Sequence, residues 1–212
     1  MRYILVVFFP AVLGGCGMEF PQQLKPPPAR TIDYTVDVQP MVVFSGWDMG
    51  QWDQLTAALG PAFAQAGVAL RILDPVAVQH QSWERIDTEA ELREMMDGSF
   101  VGVRVWLVQD LAPESLGSAA DLANTTGLGG AAFPPTSANH GVALPIGATK
   151  DPNTLVHEMG HAFGLSHPSE GAEDCSIPEV ACQFMSYCYL MRNQFTADQI
   201  ETIRRWAAYY AN

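Results

Sequence analysis

The stretch His157-Glu158-Met159-Gly160-His161-Ala162-Phe163-Gly164-Leu165-Ser166-His167 constrains this chain more than any other, and it holds three of the five histidines. Read as a helix, it places His157 and His161 at i and i+4, one turn apart on one face. Two ligands of one tetrahedral zinc ion need that spacing. Glu158 lies one step round the same turn, poorly placed to bind the same ion but within reach of a water on it. Gly164 can take a positive φ, so the helix can stop and the chain can turn back, bringing in His167 as a third ligand. Three protein ligands leave the fourth position to water, the mark of a catalytic zinc. A rival arrangement, two helical histidines plus a downstream glutamate, has Glu170, Glu173 and Glu179 to draw on. None of them continues a helical register from His161, whereas His167 stands at third-ligand spacing.

The flanking residues agree with a helix. Asp151 can cap it and Pro152 suits its first turn. Leu155, Val156, Met159 and Ala162 can then face a core while the histidines face a cleft. Upstream, Thr31 to Val38 alternates Ile32, Tyr34, Val36 and Val38 on one strand face. Gly50 to Ala66 carries Trp52, Leu55, Leu59, Phe63 and Ala66 at helical spacing, with a kink or break predicted at Gly60-Pro61. Val68 to Val78 reads as a second strand with Pro75 near its end. Thr88-Glu89-Ala90-Glu91 opens a short helix by a capping box, and Gly98 closes it. Phe100 to Gln109 reads as a central strand buried on both faces, with Val101, Val103, Val105 and Leu107 on one of them. His140 to Ile146 is the last strand before the motif, and His140 is read as structural. A final helix begins at Thr196, with Gln199 completing a capping box, Phe195 and Ile200 as a staple, and Ile200, Ile203, Trp206 and Tyr210 as the buried stripe.

The motif resembles that of the metzincin metalloproteases, which pair it with a downstream methionine turn. Gln183-Phe184-Met185-Ser186-Tyr187 looks like that turn. The resemblance implies that Met185 forms an apolar floor beneath the metal, and that Tyr187 ligates it or donates a hydrogen bond to the reacting carbonyl. His161 to Pro168 and Met185-Ser186-Tyr187 look most like serralysins, although the glycine- and aspartate-rich calcium repeats of that family are missing. The cysteines around Met185 and the Phe195 to Gln199 start of the last helix look more like pappalysins or matrix metalloproteinases. The resemblance is strong over residues 151–206. It implies an α+β, metzincin-type zincin fold, in which a twisted mixed sheet and the active-site helix lie above a cleft and a smaller irregular half with the last helix lies below. By the same resemblance a strand before the zinc helix lines the cleft, and Gly127 to Phe133 is the candidate, with a flexible surface loop as the competing reading. An extended protein or peptide substrate could add to its open edge through main-chain hydrogen bonds.

The implied activity is zinc-dependent endopeptidase chemistry: a zinc-bound water attacks a peptide carbonyl, with Glu158 as general base. The alternative is a retired scaffold serving as a binding or adhesion module. Such a site would be free to lose Glu158, and Glu158 is present.

The N-terminus reads as a targeting segment, residues 1–15. Arg2 is followed by an apolar run, Tyr3 to Leu13, too short to span a bilayer comfortably. Leu13-Gly14-Gly15-Cys16 resembles the lipobox of bacterial lipoproteins, with Cys16 as the lipidated residue; a plain secretory signal is the competing reading. Residues 16–30 contain Pro21, Pro26, Pro27 and Pro28 and form a stiff tether, Met18 to Arg30 reaching at most roughly 40 Å. Residues 31–212 form the catalytic domain. The expected location is therefore outside the cytoplasm, on a bacterial outer membrane or cell surface by a lipid anchor, or otherwise secreted. With 212 residues and 48% hydrophobic content, the chain has enough for one sizeable core, and a monomer is expected. The net charge of −12 argues against nucleic acid or an anionic membrane surface as partner.

Beyond Cys16 the cysteines are Cys175, Cys182 and Cys188. Export permits disulfides, and an odd count leaves one thiol over. A bond across the methionine-turn region involving Cys188 is expected, with the pairing open. Ser169 to Val180 reads as a solvated acidic loop beside the substrate pocket. A calcium ion on Glu170, Glu173 or Asp174 is the weaker reading.

Overall fold

Alternation along the strands decides the layering. In the computed structural model, which describes residues 27–98, 100–112, 131–133, 140–146, 153–167, 176–177, 182–186 and 192–211, β1 (Tyr34–Val42) runs parallel to β2 (Val68–Ile72), β3 (Val76–Ala77) and β5 (Val103–Val108). β5 pairs in parallel with β8 (Gly141–Pro145), and β7 (Ala131–Phe133) closes the sheet antiparallel to β8. The order is β2-β1-β5-β8-β7, with β3 following β2 along the same side of β1. A separate small ribbon joins β4 (Arg85–Ile86) to β6 (Asp110–Leu111).

Parallel neighbours need crossover connections, and helices supply them. α1 (Met49–Ala64) and α3 (Asn153–Ala162) pack with α4 (Ala197–Tyr210) over one sheet face. α2 (Glu89–Met96) covers the other. β5 is the divider: Val103, Val105 and Leu107 enter the larger core, while Trp106 and Val108 enter the smaller one. The expectation of a strand buried on both sides holds from Val103 onwards. Val101 does not belong to it, being 65% exposed before the strand begins.

Three further boundaries differ from the sequence reading. β1 starts at Tyr34, leaving Ile32 exposed, and runs on through buried Pro40 to Val42. The stretch Val68 to Val78 splits at Pro75 into β2 and β3. α1 continues through Pro61 without a break. A proline inside a helix costs about 3 kcal/mol, through one lost backbone bond and a clash of its ring with the preceding turn. Leu55 and Leu59 before it and Ala62 and Phe63 after it are buried in the same core, and continuing the helix keeps all four there.

Both predicted capping boxes form, at Thr88 and Glu91 and at Thr196 and Gln199. Aromatic contacts then join the layers. Phe63 meets Phe163 at 5.1 Å and Phe195 at 5.5 Å, and Phe163 meets Tyr210 at 5.3 Å between ring centroids. The Tyr210 hydroxyl donates to the carbonyl of Ala162 at 2.8 Å, fixing α4 to the end of α3. His140 is structural, its Nε2 lying 3.3 Å from the carbonyl oxygen of Gly102 and its ring beside Tyr210. Among the described residues no helix is long and apolar enough to cross a membrane.

The leader, Cys16 and most of the tether lie outside the described residues, as do Asp151, Pro152, Gly127 to Gly130, the acidic residues Glu170, Glu173, Asp174 and Glu179, and Tyr187, Cys175 and Cys188.

Candidate metal centre

α3 presents its apolar residues Leu155, Val156, Met159 and Ala162 to the core, all fully buried. The same periodicity turns His157 and His161 to a common side. The helix then ends in a Schellman motif: the Leu165 N–H donates to the Gly160 carbonyl at 3.0 Å and the Gly164 N–H to the His161 carbonyl at 2.8 Å. Gly164 holds φ at 77°, a conformation costly for any residue with a Cβ. A Cβ there would also strike the Trp206 indole of α4, 2.6 Å from Nε1. Trp206 is only partly buried, and its use is to cover this turn. The reversal brings His167 back beside the helix.

The three imidazoles converge. Nε2 of His157 is 3.0 Å from Nε2 of His167 and 3.2 Å from Nε2 of His161, and the remaining pair is 3.1 Å apart. Nδ1 of His157 lies 2.7 Å from the Phe184 carbonyl oxygen, and Nδ1 of His161 lies 2.8 Å from that of Leu165. A carbonyl can only accept, so each Nδ1 carries the hydrogen and each Nε2 presents a lone pair. Lone pairs facing each other at 3.2 Å repel unless a cation stands among them. A tetrahedron with about 2.05 Å zinc–nitrogen bonds has edges of about 3.3 Å, close to the observed triangle, so the residues fit a zinc ion. Among the described residues this is the only such trio of histidine, cysteine or carboxylate groups.

The environment keeps the rings neutral, the form that binds metal. Burial, followed by His161 and Arg192, pushes His157 well below the ordinary imidazole value. His161 is pushed down to about 4, chiefly by burial and then by His167. His167, half-buried, is lowered by burial and by Arg192. The two carbonyl hydrogen bonds act in the opposite direction without reversing the shifts.

Glu158 is fully buried on the same turn of α3 as His157. Met185 is fully buried too and lies under the helix at Gly160, where an added Cβ would collide with its Sδ. A glycine between the two histidine turns is what lets the sulfur approach. Cys182 is buried and in no disulfide among the described residues.

The sequence reading missed the two carbonyls that orient the rings, because a backbone carbonyl has no signature of its own. It also missed buried Arg192, and Gln65, whose side chain reaches the segment below the site. A glutamine inside Ala62-Phe63-Ala64-Gln65-Ala66 was the available signal.

Solved structures that share this fold include two metalloproteinase-type proteins by name. Metalloproteinase-II from Bacteroides fragilis aligns with a TM-score of 0.54 at 12% identity, over 89% of this chain and 58% of its own. This chain therefore spans little more than half of that neighbour. Archaemetzincin from Methanopyrus kandleri aligns with a TM-score of 0.50 at 13% identity, over 81% of this chain and 94% of its own. No protein-family model and no curated protein sequence matches the chain.

Proposed function

We propose that this chain is a zinc-dependent endopeptidase of the metzincin type. The observation that carries the proposal is the triangle of Nε2 atoms with 3.0–3.2 Å sides, two of its rings locked by backbone carbonyls into the ligating tautomer. The names of the two fold neighbours, a metalloproteinase and an archaemetzincin, support the same chemistry.

A zinc ion held by His157, His161 and His167 would supply Lewis-acid activation of water and of a carbonyl oxygen. Glu158, one residue from His157, accepts the proton of the attacking water and returns it to the leaving amine. Tyr187, two residues beyond Met185, donates a hydrogen bond to the developing oxyanion by the resemblance stated above. The antiparallel edge strand β7 offers backbone groups along which an extended peptide can lie. Export with a lipid on Cys16 would place this activity at a membrane surface, the tether holding the domain clear of it.

Glu158→Gln tests the role of the carboxylate. The variant should keep its metal and lose cleavage of casein, since general base catalysis contributes about 10²–10⁴-fold. Cleavage at the wild-type rate would remove Glu158 from its role. A metal-loaded wild type that cleaves nothing would favour the retired binding module.

A further inference from the structure

We infer that Gln65, the residue closing α1, is a positioning residue for the His157 imidazole, acting through the extended segment 193–195; the inference rests on the histidine trio being the metal centre. Gln65 is 4% exposed. Its Nε2 donates to the Asn193 carbonyl at 2.9 Å, and its Oε1 accepts from the Phe195 N–H at 3.1 Å. A primary amide offers one donor side and one acceptor side, which match the C=O and N–H of residues i and i+2 along one edge of an extended chain. Gln65 thus stands where a neighbouring strand would.

The other edge of the segment faces the site. Asn193 and Gln194 donate their N–H groups to the Cys182 carbonyl at 2.9 and 3.1 Å, and the Phe184 N–H donates to the Gln194 carbonyl at 2.9 Å. The Phe184 carbonyl in turn accepts from Nδ1 of His157 at 2.7 Å. Met185, the next residue, is seated under Gly160. An unbroken series of hydrogen bonds therefore runs from the end of α1 to one ligand. An apolar series runs beside it, with Phe63 on Phe195 at 5.5 Å and Phe195 on Phe184 at 4.7 Å. α1 also packs on α3 in the same core, so one helix sets both the ring's own helix and the carbonyl that aims it.

Replacing an outer partner of a metal-binding histidine typically costs 10–100-fold in metal affinity. Gln65 is further removed, so the full-length Gln65→Met variant should bind zinc about tenfold more weakly in chelator competition. Its cobalt(II)-loaded form should show an altered visible spectrum. In the metal-free variant the Nδ1 hydrogen of His157 should exchange with water faster than in the wild type. Gln65→Asn keeps the amide but is one methylene too short to hold both partners, so it should fall between, and it decides the matter if Gln65→Met does not fold. Ile86→Val, in the smaller core, is the control that lowers Tm without moving these readouts. A Gln65→Met protein with lowered Tm but wild-type zinc affinity, cobalt spectrum and exchange rate would overturn the inference. A wild type that takes up no zinc would refute the metal reading instead, and the exchange rate in the metal-free protein would still judge Gln65.

Discussion

Gly160→Ala isolates the contact between the methionine turn and the metal-binding helix. Gly160 has no positive φ, and in an exposed helix the change would stabilise by up to about 1 kcal/mol through propensity. Here the new methyl would run into Sδ of Met185 and come within 3.4 Å of Leu165 Cδ1. Met185 is fully buried, so its flexible end has little room to retreat. Overpacking of this kind costs about 1–3 kcal/mol. Subtracting the propensity gain leaves a net destabilisation of up to about 2 kcal/mol. The assay is urea unfolding of metal-free protein, because bound metal would add its own linkage free energy to the folded state. Met185→Ala alone opens a cavity and should cost about 2–5 kcal/mol. The double variant should cost less than the two single costs together, by at least about 1 kcal/mol, since the added methyl fills part of the space the sulfur vacates. A Gly160→Ala protein more stable than the wild type would refute the reasoning. So would strict additivity in the cycle.

The pH dependence of the metal-free protein follows from the depressed histidines. His161 titrates near 4 when folded, against 6.5 for an unperturbed ring, so the unfolded chain takes up the proton first as pH falls. Stability present above about pH 6.5 should be lost progressively down to about pH 4, by on the order of 3 kcal/mol from His161 alone, with His157 adding in the same direction; urea midpoints at pH 7.5 and pH 5 check this. Tyr210→Phe deletes the hydroxyl donated to Ala162 and should cost about 1 kcal/mol, leaving zinc affinity unchanged, as thermal unfolding and chelator competition would report.

The site was legible because its chemistry is written in local spacing. His157 and His161 share a helical face by periodicity alone, and Gly164 marks the reversal that returns His167. The buried stripes of α3 and α4 and both capping boxes follow from the same short-range rules. Long-range competition was less legible. Pro61 signalled a kink or a break, and because the residues on both sides of it belong to one core the helix ran on without a break. Pro75 did divide its stretch, because on an exposed edge no comparable burial opposed it. The Phe184 and Leu165 carbonyls, and the 128-residue reach from Gln65 to Asn193, depend on tertiary placement that no local pattern encodes. Cys182 could not be separated from its neighbours by counting, since its burial depends on tertiary packing.

The central claim is tested most directly by zinc X-ray absorption spectroscopy on dialysed full-length protein. The expected result is zinc with three imidazole nitrogens at about 2.0–2.1 Å, disrupted when His157, His161 or His167 is replaced by alanine. Thiolate sulfur at about 2.3 Å in the coordination shell, or zinc retained unchanged in all three variants, would contradict it.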